Sequence, residues 1–74
     1  MNSCILIRVL PGKGSAVLEA LKKFPEVKSV HLILGRYDIV AFAEARTYEE
    51  LSSLSSKVNG IPETKSTETL MEAS

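Results

Sequence analysis

The chain holds one cysteine, no tryptophan, one histidine and one aspartate in 74 residues, and these scarcities close off several chemistries. A single cysteine makes no intrachain disulfide. Neither Cys4 nor His31 has a neighbour at the C-x-x-C or H-x₃-H spacings that metal sites use, so neither a metal nor a cofactor is expected. Net charge is missing too: nine Lys+Arg balance nine Asp+Glu, which leaves no basic surface of the kind that phosphate backbones require, and direct nucleic-acid binding is not expected. No apolar run approaches the roughly 18 to 20 residues that span a bilayer. The N-terminus lacks the basic start, apolar stretch and small-residue cleavage site of a secretory signal, so no membrane association and a cytoplasmic location are expected. Gly12 and Gly14 meet neither the G-x-G-x-x-G nor the P-loop spacing, and a lone histidine without a nucleophile elbow assigns no catalytic residue. Cys4 reads as a small buried strand residue and His31 as a surface or interface histidine.

What the chain does have is periodicity. Residues 3–10 (SCILIRVL) form an aliphatic run closed by Pro11-Gly12, a strand followed by a turn. Val17, Leu18, Leu21 and Phe24 then recur at helical spacing opposite Glu19, Lys22 and Lys23, with Gly12, Lys13 and Ser15 each a candidate start and Pro25 the stop. Residues 27–34 read as a second strand with Val27, Ser29, His31 and Ile33 on one side and Lys28, Val30, Leu32 and Leu34 on the other. Gly35-Arg36-Tyr37-Asp38 is a hairpin connection, and residues 39–45 return as strand three. Thr47 and Glu50 make a capping box for a second helix whose buried stripe is Tyr48, Leu51, Leu54 and Val58, with Gly60 as the C′ residue. Residues 62–71 form a last extended segment, and the final three residues are expected to fray.

The order βαββαβ predicts an α+β, ferredoxin-like fold: a four-stranded antiparallel sheet with both helices on one face, all of residues 1–74 in one domain. Such a sheet should show apolar residues on its covered face alone. Strand one instead puts Ile5, Ile7 and Val9 on one side and Cys4, Leu6 and Leu10 on the other, and strand three opposes Ile39, Ala41, Ala43 and Ala45 with Val40, Phe42 and Glu44. An identical subunit packed sheet to sheet is the simplest cover.

Two polar patches remain. Gly35, Arg36, Tyr37 and Asp38 set a guanidinium, a phenol and the chain's only aspartate side by side. This is either ordinary turn chemistry or the rim of a site for a small zwitterion, with backbone N–H groups taking a carboxylate and Asp38 facing an ammonium. Thr64, Ser66, Thr67 and Thr69 make a hydroxyl-rich strand, which strand propensity alone also explains.

With these residues in view, the chain resembles a known family. The stretch V-L-E-A-L-K-K-F-P-E-V-K-S-V at 17–30, the G-R-Y-D-I-V turn at 35–40 and the ending I-P-E-T-K-S-T-E-T-L at 61–70 are similar in order and spacing to the effector-binding (RAM) domain of the Lrp/AsnC regulators. The resemblance implies dimers joined through their sheets and closed into octameric or decameric rings. It also implies a small-molecule effector, commonly an amino acid, bound near the strand-two to strand-three loop. Gly35, Tyr37 and Asp38 match the family's glycine-x-aromatic-aspartate turn, with Arg36 at a variable position, and Thr67 and Thr69 match polar positions of its last strand. Glu63 and Thr64 depart from it, standing where glycine and valine are usual. No helix-turn-helix domain precedes strand one, so the resemblance implies a stand-alone form whose candidate partner is a full-length Lrp/AsnC regulator. Two other readings compete: a cofactor-free dimeric α+β barrel enzyme with His31 as its base, and a purely structural assembly domain.

Overall fold

The computed structural model describes residues 1–72. Its elements follow the order β1 (Asn2–Val9), α1 (Gly14–Leu21), β2 (Val27–Leu32), β3 (Ile39–Glu44), α2 (Tyr48–Asn59) and β4 (Thr64–Met71). The strands form one antiparallel sheet in the order β2-β3-β1-β4, so the two central strands are the two most apolar ones. This is the expected βαββαβ architecture.

Pairing of Ile5 with Ala41 and Ile7 with Ile39 lines up the covered face, on which Val17 and Leu21 of α1 and Leu54 and Val58 of α2 pack. Those seven large and medium side chains, Ala41 apart, are essentially removed from solvent. Each contributes about 1.5–3 kcal/mol of transfer free energy, so the helix-to-sheet layer is the main source of stability. The other face carries no helix. There Cys4, Leu6 and Arg8 of β1 stand beside Phe42 and Val40 of β3, His31 of β2 and Leu70 and Glu68 of β4, as the register requires.

Several local expectations change. Strand one ends at Val9, because Leu10 turns away: its N–H donates to Glu63 and its carbonyl accepts from Lys13, 3.0 Å away. Helix α1 starts at Gly14 with Lys13 as an N-cap that makes no side-chain bond, and it ends at Leu21, with Lys23 and Phe24 in a tight turn bonded to Ala20 and Leu21. In β2 a bulge between Val27 and Ser29 breaks strict alternation, so Val27 and Val30 share the core face while Ser29 and His31 face the open side. Thr47 caps α2 by accepting from Glu50 N–H, but the Glu50 carboxylate reaches Arg46 rather than returning to the Thr47 backbone. Tyr48, assigned to the buried stripe, is 59% exposed. Gly60 ends the helix in right-handed geometry (φ −83°), without the left-handed turn that a C′ glycine supplies. Glu72, expected to fray, donates its N–H to Asn2, 3.0 Å away; the other two terminal residues lie outside the described ones.

A second bulge, in β4 between Ser66 and Thr64, turns Thr64 toward the covered side beside Val9. There its hydroxyl oxygen is buried without a hydrogen-bond partner. A lone buried hydroxyl costs on the order of 1–3 kcal/mol, so Thr64→Val, the residue the family resemblance places here, should raise the unfolding free energy by about 1 kcal/mol in a denaturant titration. An unchanged or lowered midpoint would show that the hydroxyl is satisfied.

Candidate functional site

The β2–β3 connection is fixed by backbone chemistry at its ends and free in its middle. Ile33 N–H donates to the Asp38 carbonyl at 2.9 Å, closing the hairpin, and Asp38 N–H donates to the Ile7 carbonyl on β1. The Asp38 carboxylate oxygen Oδ2 accepts from Val9 N–H at 2.9 Å. The single aspartate of the chain thus ties the loop to the end of a central strand. Its other oxygen, Oδ1, has no protein partner among the described residues. Gly35 takes φ +135°, a region that side chains avoid, which is why glycine opens the turn. Between the two ties, the N–H groups of Leu34, Gly35, Arg36 and Tyr37 donate to no protein acceptor among the described residues. Four consecutive N–H groups beside the Arg36 side chain are thus left to solvent or to a ligand.

Tyr37 leans from this loop toward the far side of the open face. Its hydroxyl donates to Glu68 Oε2 on β4 at 2.8 Å. This bond to a carboxylate is the first cause of a phenol pKa above the ordinary 10; partial desolvation and the Glu68 charge add to it, and Arg36 and Arg8 oppose it. A phenol favoured in its neutral form contributes stability below pH 10 that is lost as pH rises through the higher folded value. Subtracting the 295 nm titration of Tyr37→Phe from that of the wild type should therefore give a midpoint above 10, which Glu68→Gln brings down. A midpoint unmoved by Glu68→Gln would show that the bond is absent in solution.

The fold divides the predicted site residues. Gly35, Arg36, Tyr37 and Asp38 stay together at the sheet end. Thr67 and Thr69 face α2: Thr69 shares a 2.9 Å hydrogen bond with Ser55, and Thr67 donates to Asn59 at 3.4 Å. Two residues not foreseen join the loop instead, Arg8 and Glu68. Strand alternation carried the signal for Glu68, since it opposes Leu6 and cannot share a face with Thr67 and Thr69.

With this geometry in place, comparison with known proteins decides the family. The Lrp/AsnC ligand binding domain model matches residues 3–73. The chain belongs to the Lrp/AsnC ligand-binding domain family. It is 34% identical over 71 residues to the HTH-type transcriptional regulator FL11 of Pyrococcus horikoshii, a match covering 96% of this chain and 47% of that one. The chain spans about half the length of the curated relatives it matches. Among solved structures, FFRP-DM1 is 30% identical with a TM-score of 0.93, and 97% of each chain is covered. AsnC from E. coli is 28% identical with a TM-score of 0.85, covering 93% of this chain and 48% of that one. As a Lrp/AsnC ligand-binding domain, this chain is of a regulatory family. Among the described residues, no helix is long and apolar enough to cross a membrane.

Proposed function

We propose that the chain is an oligomeric sensor that binds an amino acid at the Gly35–Asp38 loop and transmits occupancy through its assembly to a full-length Lrp/AsnC regulator. The observation that carries this reading is the run of four N–H groups without a protein acceptor that leads directly to Asp38 in the same loop: donors for a carboxylate followed by a carboxylate oxygen, Oδ1, for an ammonium. Arg36 and Tyr37 complete the rim, while Thr67 and Thr69 act from the other side of the sheet by fixing β4 against α2. The neutral charge of the chain favours a partner's DNA-binding domain over contact of its own with DNA. A cytoplasmic location follows from that partnership.

Subunits pair through the open face, where Phe42 and Leu70 are 46% and 48% exposed among the described residues. The loop projects the wholly exposed Leu34, together with Leu32, at one end of the sheet, and these side chains suit a second contact that links dimers into an octameric or decameric ring. The enzymatic reading needs a cavity between sheet and helices with His31 inside it. That space is filled by Ile5, Ile7, Val17, Leu21, Leu54 and Val58, and His31 lies on the opposite face with its ring edge against Phe42.

Melting the protein against each of the twenty amino acids at millimolar concentration tests the proposal. Ligand at 100 times its dissociation constant adds about 2.7 kcal/mol per site, and one or a few amino acids should raise the melting temperature selectively. A flat panel would reduce the chain to an assembly domain.

A further inference from the structure

We infer that the effector carries a second anionic group, so that an acidic amino acid is preferred over its amide. The inference rests on the effector-binding reading above and narrows it to a chemical class. Two needs of any amino acid are met within the loop itself: the N–H groups of residues 34–37 take the α-carboxylate, and Asp38 Oδ1 takes the α-ammonium. Two guanidiniums, set against the one remaining carboxylate of Glu68, are then left over. Arg36 sits in the middle of the loop, and Arg8 stands next to Val9, the residue to which Asp38 is tied, on the open side opposite Ser66. Both are exposed, and neither forms an ion pair among the described residues, whose salt bridges, Glu19 with Lys22 and Glu50 with Arg46, lie elsewhere. The nearby Glu68 is already engaged by the Tyr37 hydroxyl, and its bond holds that phenol across the rim.

Glu68 accepts from a neutral phenol and keeps its negative charge, which offsets one guanidinium; a neutral side chain leaves the other without a counter-charge beside the ligand, whereas a side-chain carboxylate meets its forked donors in the geometry they favour. Arg36 and Arg8 are thus specificity-determining residues. The α-carboxylate and the ammonium are shared by all amino acids and carry affinity without selection.

Calorimetric titration of the whole chain with glutamate, glutamine, aspartate and asparagine reads the preference directly. One acid should bind at least about tenfold more tightly than its amide, as a charge-assisted pair provides, and added salt should shrink the ratio. Arg36→Gln should bring the ratio close to one and Arg36→Lys should restore part of it, with melting curves confirming that both variants fold. Arg8→Gln provides the second reading of the same ratio. The inference is overturned if acid and amide bind the wild type equally, if only neutral or basic amino acids bind, or if both glutamine variants keep the ratio. Binding of a neutral or basic amino acid would leave the sensor reading standing, whereas failure of all twenty would remove both.

Discussion

Phe42→Glu should leave the subunit folded and turn the proposed sheet-to-sheet dimer into monomers. Phe42 touches the open face alone: it opposes Cys4 on β1 and Ser29 on β2, while the helices pack on the other side of the sheet. Truncating it therefore removes nothing from the core, and far-ultraviolet circular dichroism should be unchanged. Across a sheet-to-sheet dimer the substitution places a carboxylate against apolar surface on both subunits. A central aromatic anchor is commonly worth 2 kcal/mol or more, and an unpaired buried charge costs several more, so the dissociation constant should rise by at least about thirtyfold. Light scattering during gel filtration measures this. Cys4 supplies an independent readout, because it lies in the same patch and its thiol pKa is raised by burial. Alkylation of Cys4 should be slow in the wild type and faster in Phe42→Glu. An unchanged mass with unchanged thiol kinetics would place the subunit contact on another surface.

The same patch explains why so much of the architecture was legible. Strands one and three carry apolar residues at both parities, which identifies them as central strands whose two faces both need cover. Their neighbours β2 and β4 alternate imperfectly because each contains a bulge, at Val27/Ser29 and between Ser66 and Thr64. A bulge inserts one residue and reverses every side chain beyond it, and no composition signal marks the extra residue. Helix ends were blurred for a related reason. The stripe Val17, Leu21, Phe24 continues past Leu21, yet Phe24 reaches the core from a turn rather than from a third helical turn.

Half of the candidate site's geometry is legible in the sequence. Gly35, Tyr37 and Asp38 are local in sequence, and a turn that must take φ +135° and anchor to a strand end announces itself through glycine and aspartate. The rest depended on facts that arise only on folding. Arg8 and Glu68 are 60 residues apart in the sequence, and each is 27 or more from the Gly35–Asp38 turn; the β1–β4 pairing and the Tyr37 hydrogen bond bring them to it. Thr67 and Thr69 enter the candidate site only through their match to polar positions of the family's last strand, and their parity on β4 aims them at Asn59 and Ser55.

On the proposed reading Asp38 both anchors the loop and recognises the effector, and a pair of substitutions separates the two. Asp38→Ala removes the acceptor for Val9 N–H, a bond to a charged group worth about 1 to 3 kcal/mol, and in a domain of this size each kilocalorie lowers the melting temperature by about 4–8 °C. Asp38→Asn keeps a carbonyl oxygen for Val9 N–H and should lose well under half as much stability. The backbone bonds of residue 38 to Ile7 and Ile33 survive in both variants, so the hairpin closes in each. Effector binding divides differently. The carboxamide no longer presents a negative charge to an ammonium, and loss of that charge-assisted bond should weaken binding by at least about tenfold even where the loop is intact. Asp38→Asn should therefore melt close to the wild type yet lose its effector-induced shift, whereas Asp38→Ala should lose both. If Asp38→Asn retains the full shift and Asp38→Ala does not, the carboxylate serves the loop alone and the ammonium is held by another group, for which Glu68 Oε1, the oxygen not used by Tyr37, is the nearest acidic alternative on the same rim.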